Sequence, residues 1–279
     1  MEESTLISFV GAGPGASDLI TLRGAKRLGE AKVIIWASSL VPESLLEHGS
    51  KNAQIYDSAG MTLEDVLKIY ESHRSSRIVR LHSGDPSIYG AMQEQIDWCI
   101  QNERDFEIVP GVTSVSASAA ILGRELTIPG LSQSVVMTRL ASRTKASMPE
   151  TEDIATFAST GATMAVFLSA ARPVALQEQL LNPPSIYGED SPAAVIYRAT
   201  WPDETFALTT VGKLAQTIKD IGATTTVLVI VGDVLSQISE KRSHLYNPQF
   251  AHRYRKRSVP GTVAGVPTGV PAGQGVNES

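Results

Sequence analysis

The sequence predicts an α/β protein in two halves, the first built on a mostly parallel sheet and the second on a mixed one. Three observations carry this. Short apolar runs alternate with helical stretches from Leu6 to Val109, the rhythm of a parallel sheet covered by helices on both faces. A small-residue helical stretch, Thr113 to Leu122, follows Pro110-Gly111, after which strand-like runs begin again. Trp201-Pro-Asp-Glu204 then lies between two such runs, with proline placed for a type I turn, so one antiparallel hairpin enters the second half.

In order along the first half, Leu6 to Val10, Lys32 to Trp36, Ala53 to Tyr56, Arg77 to Leu81 and Phe106 to Val109 read as strands. Between them, helices are expected at Thr21 to Ala31, Pro42 to His48, Thr62 to Ser72 and Pro86 to Asn102. The second half places strands at Ser134 to Thr138, Thr163 to Ser169, Ala193 to Ala199, Thr205 to Thr210 and Thr225 to Val231. The boundary belongs near residues 119–130, giving domains 1–121 and 122–257. Residues 258–279 are rich in Gly and Pro with almost no charge, and cannot bury enough surface to offset ordering. That tail is expected to be disordered. The basic run His252 to Arg257 before it reads as a solvated end or as a contact for an acidic ligand or a second copy.

Composition excludes several classes of function. With 42% hydrophobic and 19% charged residues, the chain reads as a soluble globular protein. A formal charge of −5 argues against nucleic acid as a partner. No apolar run approaches the roughly 20 residues that a membrane-crossing helix needs, and the amino terminus does not resemble a signal peptide. The one cysteine, Cys99, falls at core spacing with Ile88, Met92 and Ile96 and suits a reducing, cytoplasmic setting. Histidines 48, 73, 82, 244 and 252 lack metal-ligand spacing, so no metal is expected.

Gly11-Ala-Gly-Pro-Gly15 follows a strand and precedes a helix, as a dinucleotide-binding loop would. Pro14 removes an N–H from a loop whose use is to donate such groups, however. The second strand also ends in Ala37-Ser38-Ser39, with no acid to hold a ribose. A tight strand-to-helix turn with Thr21 as N-cap is the plainer reading.

Several separate segments, in order, together resemble the tetrapyrrole (corrin and sirohaem) methyltransferases: VGAGPGASDLIT (10–21), HSGDPSIYG (82–90) and VPGVTSVSA (109–117). Three more are similar to the branch that methylates carbon 11 of precorrin-4 or its cobalt form: SAGMTLED (58–65), LTIPGLSQSVVMTR with SRT (126–139, 142–144), and YRATWPDE (197–204). The resemblance runs from about Leu6 to about Arg257. It implies two α/β domains with the active-site cleft between them, a homodimer, S-adenosylmethionine as methyl donor and a tetrapyrrole substrate. Carried over by position, it implies donor contacts at Pro14, Ser83, Gly84, Asp85, Ile88, Thr113, Ser114, Leu168 and Ala199. Many relatives carry Gly, Met and Gly where Ser83, Leu168 and Ala199 stand.

The residues themselves support parts of this. Gly84 permits close backbone approach to a ligand. Asp85 before Pro86 reads as a helix N-cap, alone or with a ligand contact besides. Thr113 and Ser114 begin a helix, where hydroxyls cap or bind. Tyr89 is expected to line the substrate cleft or pack in the core. Arg139 and Arg143 flank a serine-rich loop and suit carboxylates of a ring substrate, unless they are only surface charges. Trp201 forms either a hydrophobic wall or a brace for its turn. The catalytic base is left unassigned, because Ala37 stands about where uroporphyrinogen methylases carry an acid.

Overall fold

The computed structural model describes residues 5–140, 148–149, 151–236 and 243. The expected tail at 258–279, the basic run before it and Arg143 lie outside the described residues. The first sheet holds β1 (Ile7–Gly11), β2 (Val33–Trp36), β3 (Gln54–Asp57), β4 (Ile78–His82) and β5 (Phe106–Val109), in the order β3-β2-β4-β1-β5, all parallel. Helix α1 (Leu22–Glu30) covers one face of this sheet, and α2 (Leu63–Ser72) with α3 (Gln93–Gln101) covers the other. Alternation along β1 explains the double cover: Ile7 and Phe9 join one core, Val10 the opposite one, and each is fully buried. Cys99 packs with Ile96 and Met92, as its spacing implies, whereas Ile88 precedes the helix and is not in this core.

Helix starts follow local chemistry. Thr21 Oγ1 accepts the Gly24 N–H at 3.1 Å, and Thr62 closes a capping box with Asp65 at the head of α2. Two helical expectations change. Pro42 to His48 is a 3-10 helix, Glu43–His48, rather than an α-helix. The helix expected from Pro86 begins only at Gln93, because Tyr89 and Ala91 hold positive φ of 54° and 47°, which no helix accepts.

α4 (Ser114–Ile121) leads into the second sheet, and its Val115 and Ala117 pack in the core against that sheet's strands. The second sheet comprises β6 (Val135–Arg139), β7 (Thr163–Phe167), β8 (Pro192–Tyr197), β9 (Thr205–Thr210) and β10 (Val227–Val231), in the order β6-β7-β10-β8-β9. Only β6 and β7 pair in parallel. The expected β8–β9 hairpin is present, with Tyr197 opposite Thr205. β10 adds antiparallel pairing beyond that hairpin by entering between β7 and β8, where all five of its residues are buried. The short α5 (Ile154–Ala158), α6 (Pro173–Leu181) and α7 (Leu214–Ile221) cover the face opposite α4. No helix among the described residues is long and apolar enough to cross a membrane.

Candidate functional site

In open α/β sheets, ligands bind beyond the carboxyl ends of the strands. Pro14, Ser83 to Asp85, and Thr113 follow β1, β4 and β5 respectively, while Arg139 ends β6 and Leu168 and Ala199 follow β7 and β8. The three loops of the first sheet interlock through backbone. Gly13 and Gly84 exchange hydrogen bonds, Gly84 N to Gly13 O at 2.8 Å and Gly13 N to Gly84 O at 3.2 Å. A methyl group on Gly111 would stand 2.1 Å from the Gly84 carbonyl oxygen, and one on Gly11 would stand 2.5 Å from Gly111 Cα. In the loop after β1, Ala12 N–H and both backbone groups of Gly13 are thus engaged by the β4 loop.

Gly84 itself is different. It sits at φ +65°, and the atoms nearest to an added Cβ would be Thr113 Cα, Ser114 N and Val112 O, at 3.8 to 3.9 Å. That gap faces the N-terminus of α4, where Thr113 is the N-cap and its Oγ1 accepts the Val115 N–H. A glycine at positive φ beside the first N–H groups of a helix allows close backbone approach and favours a negatively charged group there.

Asp85 has a role other than the helix cap expected of it, since no helix starts there. Oδ1 accepts the Ser87 N–H and Oδ2 the Gly111 N–H, both at 2.8 Å, so the carboxylate ties the β4 loop to the β5 loop. Ser83 is exposed and Ile88 half-buried beside it. His82, at the end of β4, is buried; one ring nitrogen bonds the Gly90 backbone, and Nε2 has no partner among the described residues. Burial, then the neighbouring Arg80 charge, pushes its pKa down to about 3, so the ring is neutral.

The two halves meet across these loops. Trp201 Nε1 donates to Pro14 O at 3.0 Å, and the Ala16 N–H donates to Thr200 Oγ1 at 2.9 Å. The indole lies so near Gly15 that a Cβ there would be 2.4 Å from it, with the Ala199 carbonyl 2.9 Å away. Arg198 stacks on the indole at 3.9 Å and pairs with Asp203 at 2.5 Å. Trp201 thus ties its turn, and with it the second half, to the loop after β1. Thr200 and Arg198 were absent from the sequence-derived site, although both lie in its YRATWPDE segment.

A second crossing joins Tyr89 to Phe167, ring centroids 5.1 Å apart. Tyr89 is 47% exposed and Leu168 63%, so both offer surface rather than core. Arg139 pairs in register with Phe167, and its charge reaches the Tyr89 hydroxyl. Burial raises the Tyr89 pKa, and Arg139 opposes that rise. Tyr89, Leu168, Arg198 and Thr200 all hold positive φ, between 48° and 65°. Such conformations cost of order 1–3 kcal/mol each and gather where a ligand must be met. The acid missing at Ala37 has a neighbour in kind: Asp57, ending β3, accepts the Ser38 N–H at 3.0 Å and the Ser38 hydroxyl at 2.6 Å. These bonds, the hydroxyl first, lower its pKa.

Comparison with known proteins agrees with this geometry. The family model for tetrapyrrole (corrin/porphyrin) methylases matches residues 6–215. The chain is 43% identical to a cobalt-precorrin-4 C(11)-methyltransferase of Methanocaldococcus jannaschii, over 92% of this chain and 98% of that protein. It is 41% identical to a precorrin-4 C(11)-methyltransferase of Pseudomonas aeruginosa, over 89% and 98%. Among solved structures, a cobalt-precorrin-4 methyltransferase of cobalamin biosynthesis superposes with a TM-score of 0.79 at 38% identity, covering 84% of this chain and 97% of the other. A uroporphyrin-III C-methyltransferase from Thermus thermophilus, complexed with S-adenosylhomocysteine, superposes with a TM-score of 0.69 at 26% identity, covering 82% and 98%. With two α/β halves latched around loops at their strand ends, the chain belongs to the tetrapyrrole (corrin/porphyrin) methylases.

Proposed function

We propose that this protein transfers a methyl group from S-adenosylmethionine to carbon 11 of precorrin-4 or cobalt-precorrin-4, in cobalamin biosynthesis. The observation that supports the reading is the meeting of strand-end loops from both sheets, together with the likeness to the C-11 enzymes. Those enzymes match nearly their whole length to this chain. Pro14, Ser83, Gly84, Asp85, Ile88, Thr113, Ser114, Leu168 and Ala199 are assigned to the donor, and Tyr89, Arg139, Arg143 and Trp201 to the ring side. Gly84 supports this assignment, since a Cβ there would have only ordinary contacts with the backbone at the α4 N-terminus, leaving room for close approach.

When bound, S-adenosylmethionine supplies an electrophilic methyl group on a sulfonium that is already a good leaving group. The chain's task is to hold the two partners in line. Asp85 keeps the β4 and β5 loops at fixed spacing, and the Trp201 latch holds the second half against Pro14. Such positioning can supply several kcal/mol of rate acceleration without a covalent nucleophile. Tyr89 and Arg139 offer an aromatic face and a cation to a ring that bears acidic side chains. A cytoplasmic homodimer is proposed as the working form.

A dinucleotide-binding oxidoreductase is the competing class, and one titration separates the two. S-adenosylhomocysteine at saturating concentration is expected to raise the melting temperature by several degrees, since binding at a hundred times Kd adds about 2.7 kcal/mol. NAD at the same concentration is expected to leave it unchanged. A shift with NAD and none with S-adenosylhomocysteine would overturn the reading.

A further inference from the structure

Arg80 lies in the middle of β4, opposite Phe9 on one side and Ile35 on the other, both fully buried. Its side chain enters the α2/α3 face, among apolar residues and the Tyr70 ring. Among the described residues one hydrogen bond engages it: Nη1 donates to Ser58 Oγ at 2.8 Å. Among the described residues, buried Nε has no partner and no carboxylate pairs with this guanidinium. Ser58 is itself fixed, its hydroxyl donating to Trp36 O at 2.8 Å. An arginine cannot shed its proton to escape this position, and a partly buried charge with an unpartnered Nε among the described residues is costly. The arrangement is a pre-aimed cation that lacks its anion.

We propose that Arg80, aimed by Ser58, receives a carboxylate of the bound ligand, and that the carboxylate belongs to the tetrapyrrole rather than to the methyl donor. Both ligands carry carboxylates, so position decides. The donor gap lies between the loops after β4 and β5, whereas the Arg80 guanidinium reaches the other way, across β2 to the loop after β3. Ser58 opens the SAGMTLED segment. The close of that segment is explained locally, because Thr62 and Asp65 form the capping box of α2; its opening serine is left to serve Arg80. Arg80 is not wholly buried, and it stands three residues before the exposed Ser83 at the sheet's ligand-binding edge.

This inference rests on the proposed function and is tested beside it with three variants of the full chain: Arg80→Met, Arg80→Lys and Ser58→Ala. Arg80→Met is expected to raise the KM for the ring by roughly ten- to a hundredfold, the range for a lost hydrogen bond to a charged group. Its affinity for S-adenosylhomocysteine by calorimetry should stay within about twofold of wild type. Its ligand-free melting temperature should equal or exceed that of wild type, since an unpaired cation gives way to an apolar side chain. Arg80→Lys, which keeps charge but loses the fork, and Ser58→Ala, which loses the aim, should show intermediate KM values. A purely structural arginine would instead lower the melting temperature in Arg80→Met and Arg80→Lys alike, with ring KM unchanged, and that result overturns the proposal. Weakened S-adenosylhomocysteine binding with unchanged ring KM also overturns it, by assigning the carboxylate to the donor. Wild-type protein that methylates no tetrapyrrole would overturn the functional reading and this inference together.

Discussion

Gly84→Val is expected to weaken S-adenosylhomocysteine binding by roughly a hundredfold or more while the protein still folds, as a side chain forced into an occupied gap costs up to about 3 kcal/mol. The position tolerates a Cβ as far as the protein is concerned, because its nearest neighbours would be 3.8 Å away. Valine's two γ carbons, however, would project into the space before Thr113 and Ser114 that the donor is assigned. The second cost is conformational. Gly84 holds φ +65°, where an L-residue loses about 1–2 kcal/mol. That strain should lower the melting temperature by roughly 2–8 °C, which leaves a folded protein to titrate. Calorimetry on the folded variant reads the result. Wild-type affinity would remove the donor from this gap. Gly111→Val would serve less well, since its Cβ would collide with the Gly84 carbonyl at 2.1 Å and confound binding with folding.

Trp201→Ala is expected to cut turnover by about a hundredfold, the loss that ~1 Å of misplacement produces in an aligned transfer. Three interactions go together: the bond to Pro14 O, the contact with Gly15 and the stacking of Arg198. All three join the donor-side loop to the second half or stiffen the turn that does so. Removing a partly buried indole costs about 2–3 kcal/mol, a fall of roughly 5–10 °C in melting temperature. Trp201→Phe keeps a ring against Gly15 and gives up the N–H, so it should lose only about 1 kcal/mol. Its turnover should fall between those of alanine and wild type. Full turnover by a folded Trp201→Ala protein would mean that the latch does not set the cleft.

Much of the fold was legible because apolar periodicity and caps report local rules. Val227 to Val231 reads as a buried strand and is one, and Thr21 caps α1 as its position suggests. Where the reading failed, tertiary demands overrode local ones. Pro86 to Met92 has a helix-starting proline after an aspartate, yet the chain there turns to bring Tyr89 to Phe167, and Asp85 bonds Gly111 instead. β10's antiparallel place in the second sheet depends on which strands it separates, and periodicity is silent on that. The strand-end loops of the site were legible as segments. Their partners were not. Nothing near Pro14 in sequence announces Trp201, and nothing near Arg80 announces Ser58, because such pairs are made only when strands distant in sequence stand side by side.

The protein is expected to present carbon 11 of the ring to the methyl donor. The most direct measurement incubates the full chain with precorrin-4 or cobalt-precorrin-4 and S-adenosylmethionine labelled with carbon-13 in the methyl group, then reads the product by carbon NMR. One new methyl resonance, correlated to carbon 11, is the predicted result. A label on any other ring carbon, or an unlabelled ring recovered in the presence of bound donor, would contradict it.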